Sequence, residues 1–241
     1  MGVFFAFVIL LGLTVSHDRR LTDLRSRSYE DWLVDSIGLF FQGILIPLLQ
    51  VTVVYQLYQF LLPGDRGSLA LHPLAAFGLS FILVDYLYYW NHRLLHRGWF
   101  WCMHRVHHTM TIMHVLSTSR NTLWTSFLIV YLWIHALFIY LLLDPSWYIA
   151  GITLSSALDL WRHSSIAFPK GGWIEHCLSS VLILPQDHAW HHASGGDRGN
   201  YGANFKLWDR LHGTYYECDR LPKSFGVKTK LTLTQKLIWP F

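Results

Sequence analysis

The chain has 241 residues and a formal net charge of +4, with 52% hydrophobic and only 14% charged residues. A mean hydropathy of +0.28 excludes an ordinary soluble enzyme and indicates a membrane protein. The small positive charge fits a surface resting on anionic lipid, and the lack of a basic run argues against a nucleic-acid partner.

The N-terminal part of the chain combines an apolar segment with a charged one. Residues 2–16 are apolar but lack the basic start and the cleavage site of a signal peptide, so they predict a short membrane anchor. Residues 17–32 are charged and amphipathic, which predicts either a helix at the membrane surface or a solvated connection.

Longer apolar segments follow, and each is free of charged residues over a length that can span a bilayer. They are residues 36–62, 68–84 and 121–143. After the turn signal at 144–146, residues 147–158 are apolar again. Extended to residue 161, they predict a returning span or half-span that closes a transmembrane hairpin over 121–161.

These segments predict an all-α membrane protein with about four transmembrane helices plus the short N-terminal anchor. If the spans alternate, most Lys and Arg residues lie on one side, because the opposite loop, 63–73, carries only Arg66. The positive side is expected to face the cytoplasm, at a bacterial inner membrane or the endoplasmic reticulum. Residues 91–120 and 162–220 are predicted to form a helical cap on that side.

Histidines are the most informative residues of this cap. Eight of the 15 histidines form one HxxxH and two HxxHH patterns. Positions i, i+3 and i+4 share a helix face, so each pattern is expected to present its imidazoles in one direction. The sequence therefore predicts a metal site built from His92 and His96, from His104, His107 and His108, and from His188, His191 and His192.

The number of histidines predicts two metal ions. A structural zinc takes four protein ligands and a catalytic zinc three, so eight histidines exceed the needs of one zinc. Imidazole binds iron, zinc, copper and nickel, so the ligand type does not choose among them. A dinuclear site beside a membrane favours oxygen chemistry, because the C–H bonds of lipids are unactivated and cannot be hydrolysed.

The order of these motifs resembles the fatty acid hydroxylase/sterol desaturase superfamily. The motifs that carry the resemblance are Asp85-x-x-Tyr88-Tyr89-Trp90-x-His92-Arg93-x-x-His96, His104-Arg105-Val106-His107-His108, His163-Ser164, Pro185-x-x-His188-x-x-His191-His192, Asn200-Tyr201-Gly202 and Trp208-Asp209-Arg210-Leu211-x-Gly213-Thr214-Tyr215. The chain departs from the family's pattern in two regions. His114 stands where the family has Asn, and Ser119-Arg120-Asn121-Thr122-Leu123-Trp124 replaces the Arg-x-His-Pro-x-Glu-like segment that follows it. Ser165 also stands where the family has Asn.

The resemblance implies an integral membrane di-iron monooxygenase that uses O₂ to hydroxylate or desaturate a lipid. It adds His163 to the metal ligands and makes His114 a candidate further ligand or hydrogen-bond donor. Electrons are expected from a separate donor, which is a reductase, a cytochrome b5-type protein or a ferredoxin. Zinc is expected to replace iron readily during purification.

The resemblance also suggests a division of the chain. Residues 1–83 would contain the anchor and the first transmembrane helices, and residues 84–215 would form the catalytic domain, including the 121–161 hairpin. Residues 216–241 would be a C-terminal tail.

Two residues, Asp85 and Asn200, are candidate catalytic groups beside the histidines. Asp85 lies seven residues before His92 and Asp159 four before His163, so each carboxylate can accept the second ring N–H of its histidine. Asn200 can bridge to a metal through water or turn the chain before the following Tyr-Gly pair, and both roles stay open.

Three functions are compatible with these features. The first is a hydroxylase of a fatty acyl or related lipid, and the second is a sterol or carotenoid desaturase or oxidase of the same family. The third is a zinc-binding or transporting membrane protein without redox chemistry. A transporter would place its ligands near the bilayer midplane and show an internal repeat, and the sequence predicts neither.

Overall fold

The computed structural model describes residues 2–169, 171–196 and 198–241, and its regular structure is helical. Within those residues, β pairing is limited to isolated bridges, of which Leu69 with Leu142 matters most for the fold. The prediction of an all-α protein is confirmed.

The helices fall into a long N-terminal set and a set of shorter ones around the histidines. In chain order they are α1 (Gly2–Val15), α2 (Asp18–Arg25), α3 (Tyr29–Leu61), α4 (Pro73–Leu95), α5 (Gly98–His104), α6 (Thr125–Leu128), α7 (Val130–Leu141), α8 (Ser146–His163), α9 (Trp173–Val181), α10 (Pro185–His191), α11 (Lys206–Leu211) and α12 (Leu233–Leu237). Single π-helical turns interrupt α3 and α4.

Helices α3 and α4 are long and apolar enough to cross a membrane. The Ser28 hydroxyl begins α3 by accepting the Asp31 amide at 3.0 Å, and Pro73 begins α4. Helices α1 and α2 meet at a bend of 100° and add a third candidate when they are counted as one broken span. By length and composition, two or three helices can therefore span a bilayer.

The charge-free segment 121–143 is not one long helix, so that prediction is wrong. Its helical parts are the four-residue α6 and the 12-residue α7. Helix α7 is about 18 Å long, against a hydrocarbon core of about 30 Å. Hydroxyl groups explain the irregular first half: Thr122 and Thr125 bond each other at 2.8 Å, and Thr125 also donates to the Met103 carbonyl at 3.1 Å.

Helices α3 and α4 form one hairpin, α7 and α8 form another, and the two hairpins pack into one bundle. The Gln50 amide of α3 donates to the Tyr131 carbonyl of α7 at 3.0 Å. In α8, Gly151 approaches α4 so closely that a Cβ there would lie 2.0 Å from the Ser80 hydroxyl. The bridge between Leu69 and Leu142 joins the turns of the two hairpins at one end of the bundle. The segments that follow α4 and α8, which carry the histidines, therefore lie at the opposite end.

The N-terminal helices pack against this bundle. Leu10 of α1 and Leu24 of α2 share an apolar core with Leu160 of α8 and with Val115 and Leu116. Outward-facing side chains on α1, α3 and α4 are large and apolar, among them Phe4, Phe5, Ile9, Phe40, Ile44, Phe60 and Ile82. Such a continuous apolar exterior is typical of a surface that faces lipid.

Candidate metal centre

All nine histidines predicted as metal ligands come together at the end of the bundle, in two groups. Within each group the candidate ligand nitrogens lie within 4.8 Å of one another. The five-histidine group consists of His92, His96, His104, His108 and His191, and the four-histidine group consists of His107, His163, His188 and His192.

Each HxxHH motif divides its histidines between the two groups. The first and last histidines of a motif stay together, whereas the middle one, His107 or His191, joins the other group. On a helix, positions i+3 and i+4 point about 100° apart, so neighbouring imidazoles can reach different ions. The expectation that each pattern points in one direction is therefore met by His92 and His96 and is wrong for both HxxHH motifs.

The four-histidine group has the spacing that a single ion imposes. The Nε2 atom of His163 lies 3.2 Å from that of His107 and 2.9 Å from that of His188. The Nε2 atoms of His188 and His192 are 3.1 Å apart. Nitrogen ligands at about 2.0–2.1 Å from one metal are about 2.8–3.4 Å from their neighbours, depending on the coordination angle.

The five-histidine group also fits a metal ion. The Nε2 atoms of His92 and His104 lie 3.1 Å apart. The Nε2 atom of His108 is buried and has no hydrogen-bond partner among the residues that the structure describes. Burying such an atom unpaired is costly, and coordination to a metal removes that cost.

The buried imidazoles of His104, His108 and His192 are held in the neutral form, which is the form that binds metal. Burial lowers the pKa of His104, His108 and His192 well below its ordinary value, and the neighbouring imidazoles lower it further. A proton therefore does not compete effectively with a metal ion at neutral pH.

Backbone carbonyls orient the imidazoles. The Nδ1 atoms of His92 and His191 lie 2.8 Å from the carbonyl oxygens of Tyr201 and Gly199, respectively. A carbonyl can only accept, so the ring proton is on Nδ1 and the Nε2 lone pair is left for the metal.

The four-histidine group is oriented from other parts of the chain. The Nδ1 atom of His107 lies 3.1 Å from the Arg120 carbonyl oxygen. That of His163 lies 2.8 Å from the Asp159 carbonyl and 3.2 Å from its carboxylate. The predicted contact between Asp159 and His163 is confirmed.

Asp85 does not accept a hydrogen bond from His92, so this part of the prediction is wrong. Its carboxylate accepts the Asn204 amide at 2.8 Å and the Trp208 indole N–H at 2.7 Å. The carbonyl of Tyr201 takes the place that Asp85 was expected to fill. Asp85 thus fixes the loop 199–204, and that loop orients His92.

Asn200 is part of the same loop and has a positive φ of 57°. Its side-chain amide donates to the carbonyls of Asp187 and Tyr216 at 2.9 Å each and accepts the Tyr216 amide at 2.8 Å. This geometry supports the chain-turning role rather than a water bridge to a metal.

Two groups of residues around the site had not been singled out from the sequence as contributors. On the loop side, Asp209 accepts the backbone amides of Tyr201 and Gly202 at 2.8 and 2.7 Å. On the other side, Arg120 pairs with Asp35 at 2.6 Å and Asp31 at 2.7 Å. The Asp209 contact had a sequence signal in the Trp-Asp-Arg-Leu motif, whereas the Asp35 contact had none.

His114 lies outside both groups. Its Nε2 atom is 3.9 Å from the Asp35 carboxylate, and its side chain is buried. Burial lowers the pKa of His114 to about 3, with smaller contributions from Arg27 and Arg120. The idea that His114 is an extra ligand is therefore not supported by its position.

Comparison with known proteins agrees with this geometry. The family described as fatty acid hydroxylase matches residues 77–214. Alkylglycerol monooxygenase of Danio rerio is 29% identical over 141 residues, which is 57% of this chain and 30% of that protein. Ornithine lipid hydroxylase OlsE of Rhizobium tropici is 29% identical over 153 residues, covering 59% of this chain and 42% of the relative.

A third relative is methylsterol monooxygenase erg25A of Aspergillus fumigatus, which is 30% identical over 144 residues, or 56% of this chain and 45% of that protein. The chain thus spans less than half the length of these curated relatives. No solved structure matches it.

Proposed function

Because the chain belongs to the fatty acid hydroxylase family, we propose that it is an integral membrane oxygenase that hydroxylates a fatty acyl or related lipid. It would use two iron ions, O₂ and two electrons from a separate protein. One observation carries this proposal: two adjacent groups of imidazoles, all buried except the half-buried His96, lie at the end of a helical bundle with an apolar exterior.

The overall reaction consumes one O₂, two electrons and two protons, places one oxygen atom in a C–H bond and releases one water. Two irons bound in the groups would supply the activation of O₂ that attack on an unactivated C–H bond requires. The chain holds the nitrogen ligands in fixed orientations through carbonyls such as Tyr201 and Arg120 and keeps bulk water away by burying them.

The proposed membrane arrangement has two hairpins in the membrane, α3 with α4 and α7 with α8, and α1 as an anchor. Helix α7 then crosses only part of the hydrocarbon core. The joined hairpin turns at Leu69 and Leu142 support this arrangement, because they set the histidines at the other end. The basic residues follow α1, α4 and α8, so that end would form the cytoplasmic cap.

A basic cleft on the surface is a suitable entry point for electrons. The cleft has a volume of about 420 Å³, and Trp101, Arg105, Lys228 and Lys230 are among its lining residues. The ring of Trp101 lies 5.1 Å from His96 and 5.2 Å from His108, between centroids. An acidic donor docked here would be one aromatic ring away from the five-histidine group.

The test is the mass change of lipids in cells that express the chain under ¹⁸O₂. The proposal predicts lipid products that each gain one labelled oxygen, and it predicts that His163→Ala abolishes them. His176→Ala is the matched control, because His176 lies on α9 and is exposed.

Other outcomes would redirect the proposal. Loss of two hydrogens without gain of oxygen would favour a desaturase of the same family. Unchanged lipids, together with bound zinc that no iron replaces, would favour a metal-binding protein without redox chemistry.

A further inference from the structure

A cavity of about 640 Å³ lies beside the four-histidine group. Its volume falls within the range of about 300–1,000 Å³ that small-molecule sites occupy. Its inner walls are largely apolar, with Leu24, Ile112, Met113, Ala189 and Phe225 among the lining residues. Such a cavity suits a hydrocarbon chain better than a water-soluble molecule.

The inner end of the cavity is lined by chain neighbours of two grouped histidines, and none of the nine grouped histidines lines the cavity itself. Ser164 and Ala189 line the cavity, and they directly follow His163 and His188 in the chain. The Nε2 atoms of these two histidines are 2.9 Å apart within the four-histidine group. A chain in the cavity would therefore approach the ligands of one proposed metal ion.

The outer end of the cavity lies at the bend between α1 and α2. Helix α1 is apolar, α2 is charged, and the two meet at 100°. An apolar helix that turns into an amphipathic one is typical of the boundary between acyl chains and headgroups. The rim is thus at the depth where a lipid carries its polar group.

The rim presents charges of both signs. Arg19, Arg20 and Asp23 line it from α2, and His17 lines it from the bend. Arg20 folds over the bend and uses one donor on the Leu13 carbonyl at 3.5 Å, which leaves further N–H groups for an anion. Arginine suits phosphate and carboxylate groups, and a carboxylate suits an ammonium group.

From this arrangement, and given the proposed oxygenase function, we propose that the cavity binds the substrate lipid by a zwitterionic headgroup. The anionic group of the lipid contacts Arg19 and Arg20, the cationic group contacts Asp23, and one acyl chain extends towards the four-histidine group. Neither a sterol nor a carotenoid hydrocarbon would use the charged rim.

The rim residues of this cavity lie outside the segment that the family model matches. The rim residues of α1 and α2 precede residues 77–214, the segment that the family shares, whereas Ser164 and Ala189 at the inner end lie within it. The structure thus pairs a shared reaction centre with a separate recognition element.

The test is competitive binding of lipids to the purified full chain in neutral detergent, read by native mass spectrometry without reductant. Three probes carry the same oleoyl chain: zwitterionic lysophosphatidylethanolamine, anionic lysophosphatidylglycerol and neutral monooleoylglycerol. The zwitterion is expected to bind most and the neutral lipid least. Arg20→Gln should weaken both charged probes by about tenfold, and Arg20→Lys should restore part of that loss.

Two further variants sharpen the test. Asp23→Asn should weaken the zwitterion alone, so that it binds no better than the anionic probe. Arg25→Gln is the matched control, because it removes the same charge from the same helix at a position outside the cavity lining. Equal binding of the three probes, or an equal loss in Arg25→Gln and Arg20→Gln, would overturn the proposal.

The outcome separates this inference from the proposed function, because binding is measured without turnover. A headgroup preference in a chain that oxidises no lipid would leave the cavity proposal standing and reject the oxygenase. Lipid oxidation without a headgroup preference would do the reverse.

Discussion

The two histidine groups differ in how many ligands they have and in what holds them. The five-histidine group has one imidazole more than a four-coordinate ion needs, and one of its members, His96, is only half-buried. The four-histidine group has none to spare, and all four of its imidazoles are buried. Loss of one ligand should therefore be far more damaging in the four-histidine group.

The groups also depend on different parts of the chain. The loop that orients His92 and His191 is fixed by Asp85 and Asp209, which lie within residues 77–214. His107 is oriented by Arg120, whose ion pairs reach Asp31 and Asp35 near the start of α3, before that segment. The orientation of His107 in the four-histidine group is thus supported by residues that the family match does not include.

The largest expected effect separates the groups by ligand number. His163→Ala removes the central imidazole of the four-histidine group, so turnover should fall by at least about 100-fold, beyond the loss usual for residues behind the ligands. His96→Ala should cost about tenfold or less, because four imidazoles remain. Rates of lipid oxidation by the two purified variants, with matched helical content, measure the difference. Equal losses would mean that the groups do not act as separate sites.

The loop that supports the five-histidine group provides the next test. Asp85→Asn keeps the shape of the side chain, but its amide N–H faces one of two donors, the Asn204 amide or the Trp208 indole N–H, that both need an acceptor. The affinity of the five-histidine group for metal should therefore fall by about 10- to 100-fold. Titration of the metal-free chain with ferrous iron should show one weakened site and one unchanged site. Weakening of both sites would show that Asp85 stabilises the whole bundle instead.

Loss of the ion pair between Asp35 and Arg120 should weaken the four-histidine group and leave the five-histidine group unchanged. Asp35→Asn leaves the buried Arg120 with a weaker partner, and disrupting a buried pair typically costs about 3–5 kcal/mol when one partner is removed completely. Because Asp31 still contacts Arg120, a smaller loss of stability is expected, with weaker iron binding in the four-histidine group. The same iron titration checks this, and weakening of the five-histidine site alone would contradict it.

We expect electrons to reach the five-histidine group through the ring of Trp101. Trp101→Phe keeps an aromatic ring but reduces its contact with His96 and His108, so turnover with an acidic ferredoxin should fall several-fold. Turnover driven by dithionite should change little. The control is Trp99→Phe, because Trp99 is exposed and stacks on Phe241. Equal effects of the two variants with ferredoxin would reject this entry point.

The smallest effect concerns the pH dependence of stability. The pKa of His114 is about 3 in the folded chain against an ordinary value of 6.5. The unfolded chain therefore takes up a proton as pH falls below 6.5, and the folded chain does not, so stability is lost as pH falls. Between about pH 7.5 and pH 5 the contribution is about 2 kcal/mol.

His114→Asn should remove this contribution and flatten the fall in melting temperature over that range. Thermal unfolding in detergent at both pH values compares the variant with the parent chain. An unchanged pH dependence would show that His114 is not buried as a neutral group.

Much of the site could be predicted from the sequence, because the chemistry depends on residue types at fixed spacings. The HxxxH motif, the two HxxHH motifs and His163 together contain all nine grouped histidines. The sequence did not predict that these histidines divide between two groups. The division depends on tertiary packing, which forms the 3₁₀ turn at His107–Thr109 and places His191 in the group that does not contain His188 and His192. The spacing of histidines along a helix predicts which of them share a face, but it does not show how many metal ions those histidines bind.

The fold was predictable where the length of an apolar segment is enough to indicate a spanning helix, as in α3 and α4. It was not predictable in residues 121–143, where the hydroxyls of Thr122 and Thr125 bond one another and the Met103 carbonyl instead of leaving a regular helix. Likewise, the Asp85 contact was missed because its partners, Asn204 and Trp208, lie more than a hundred residues away in the chain.

Iron counting tests the central claim, that nine histidines form two separate metal sites. The metal-free chain would be loaded with ⁵⁷Fe under anaerobic conditions, and bound iron would be measured per chain together with its Mössbauer spectrum. The account predicts about two irons per chain in the parent protein and about one in His163→Ala, with the remaining iron in the five-histidine group. A saturated parent chain with one iron, or a His163→Ala variant that keeps both, would contradict it.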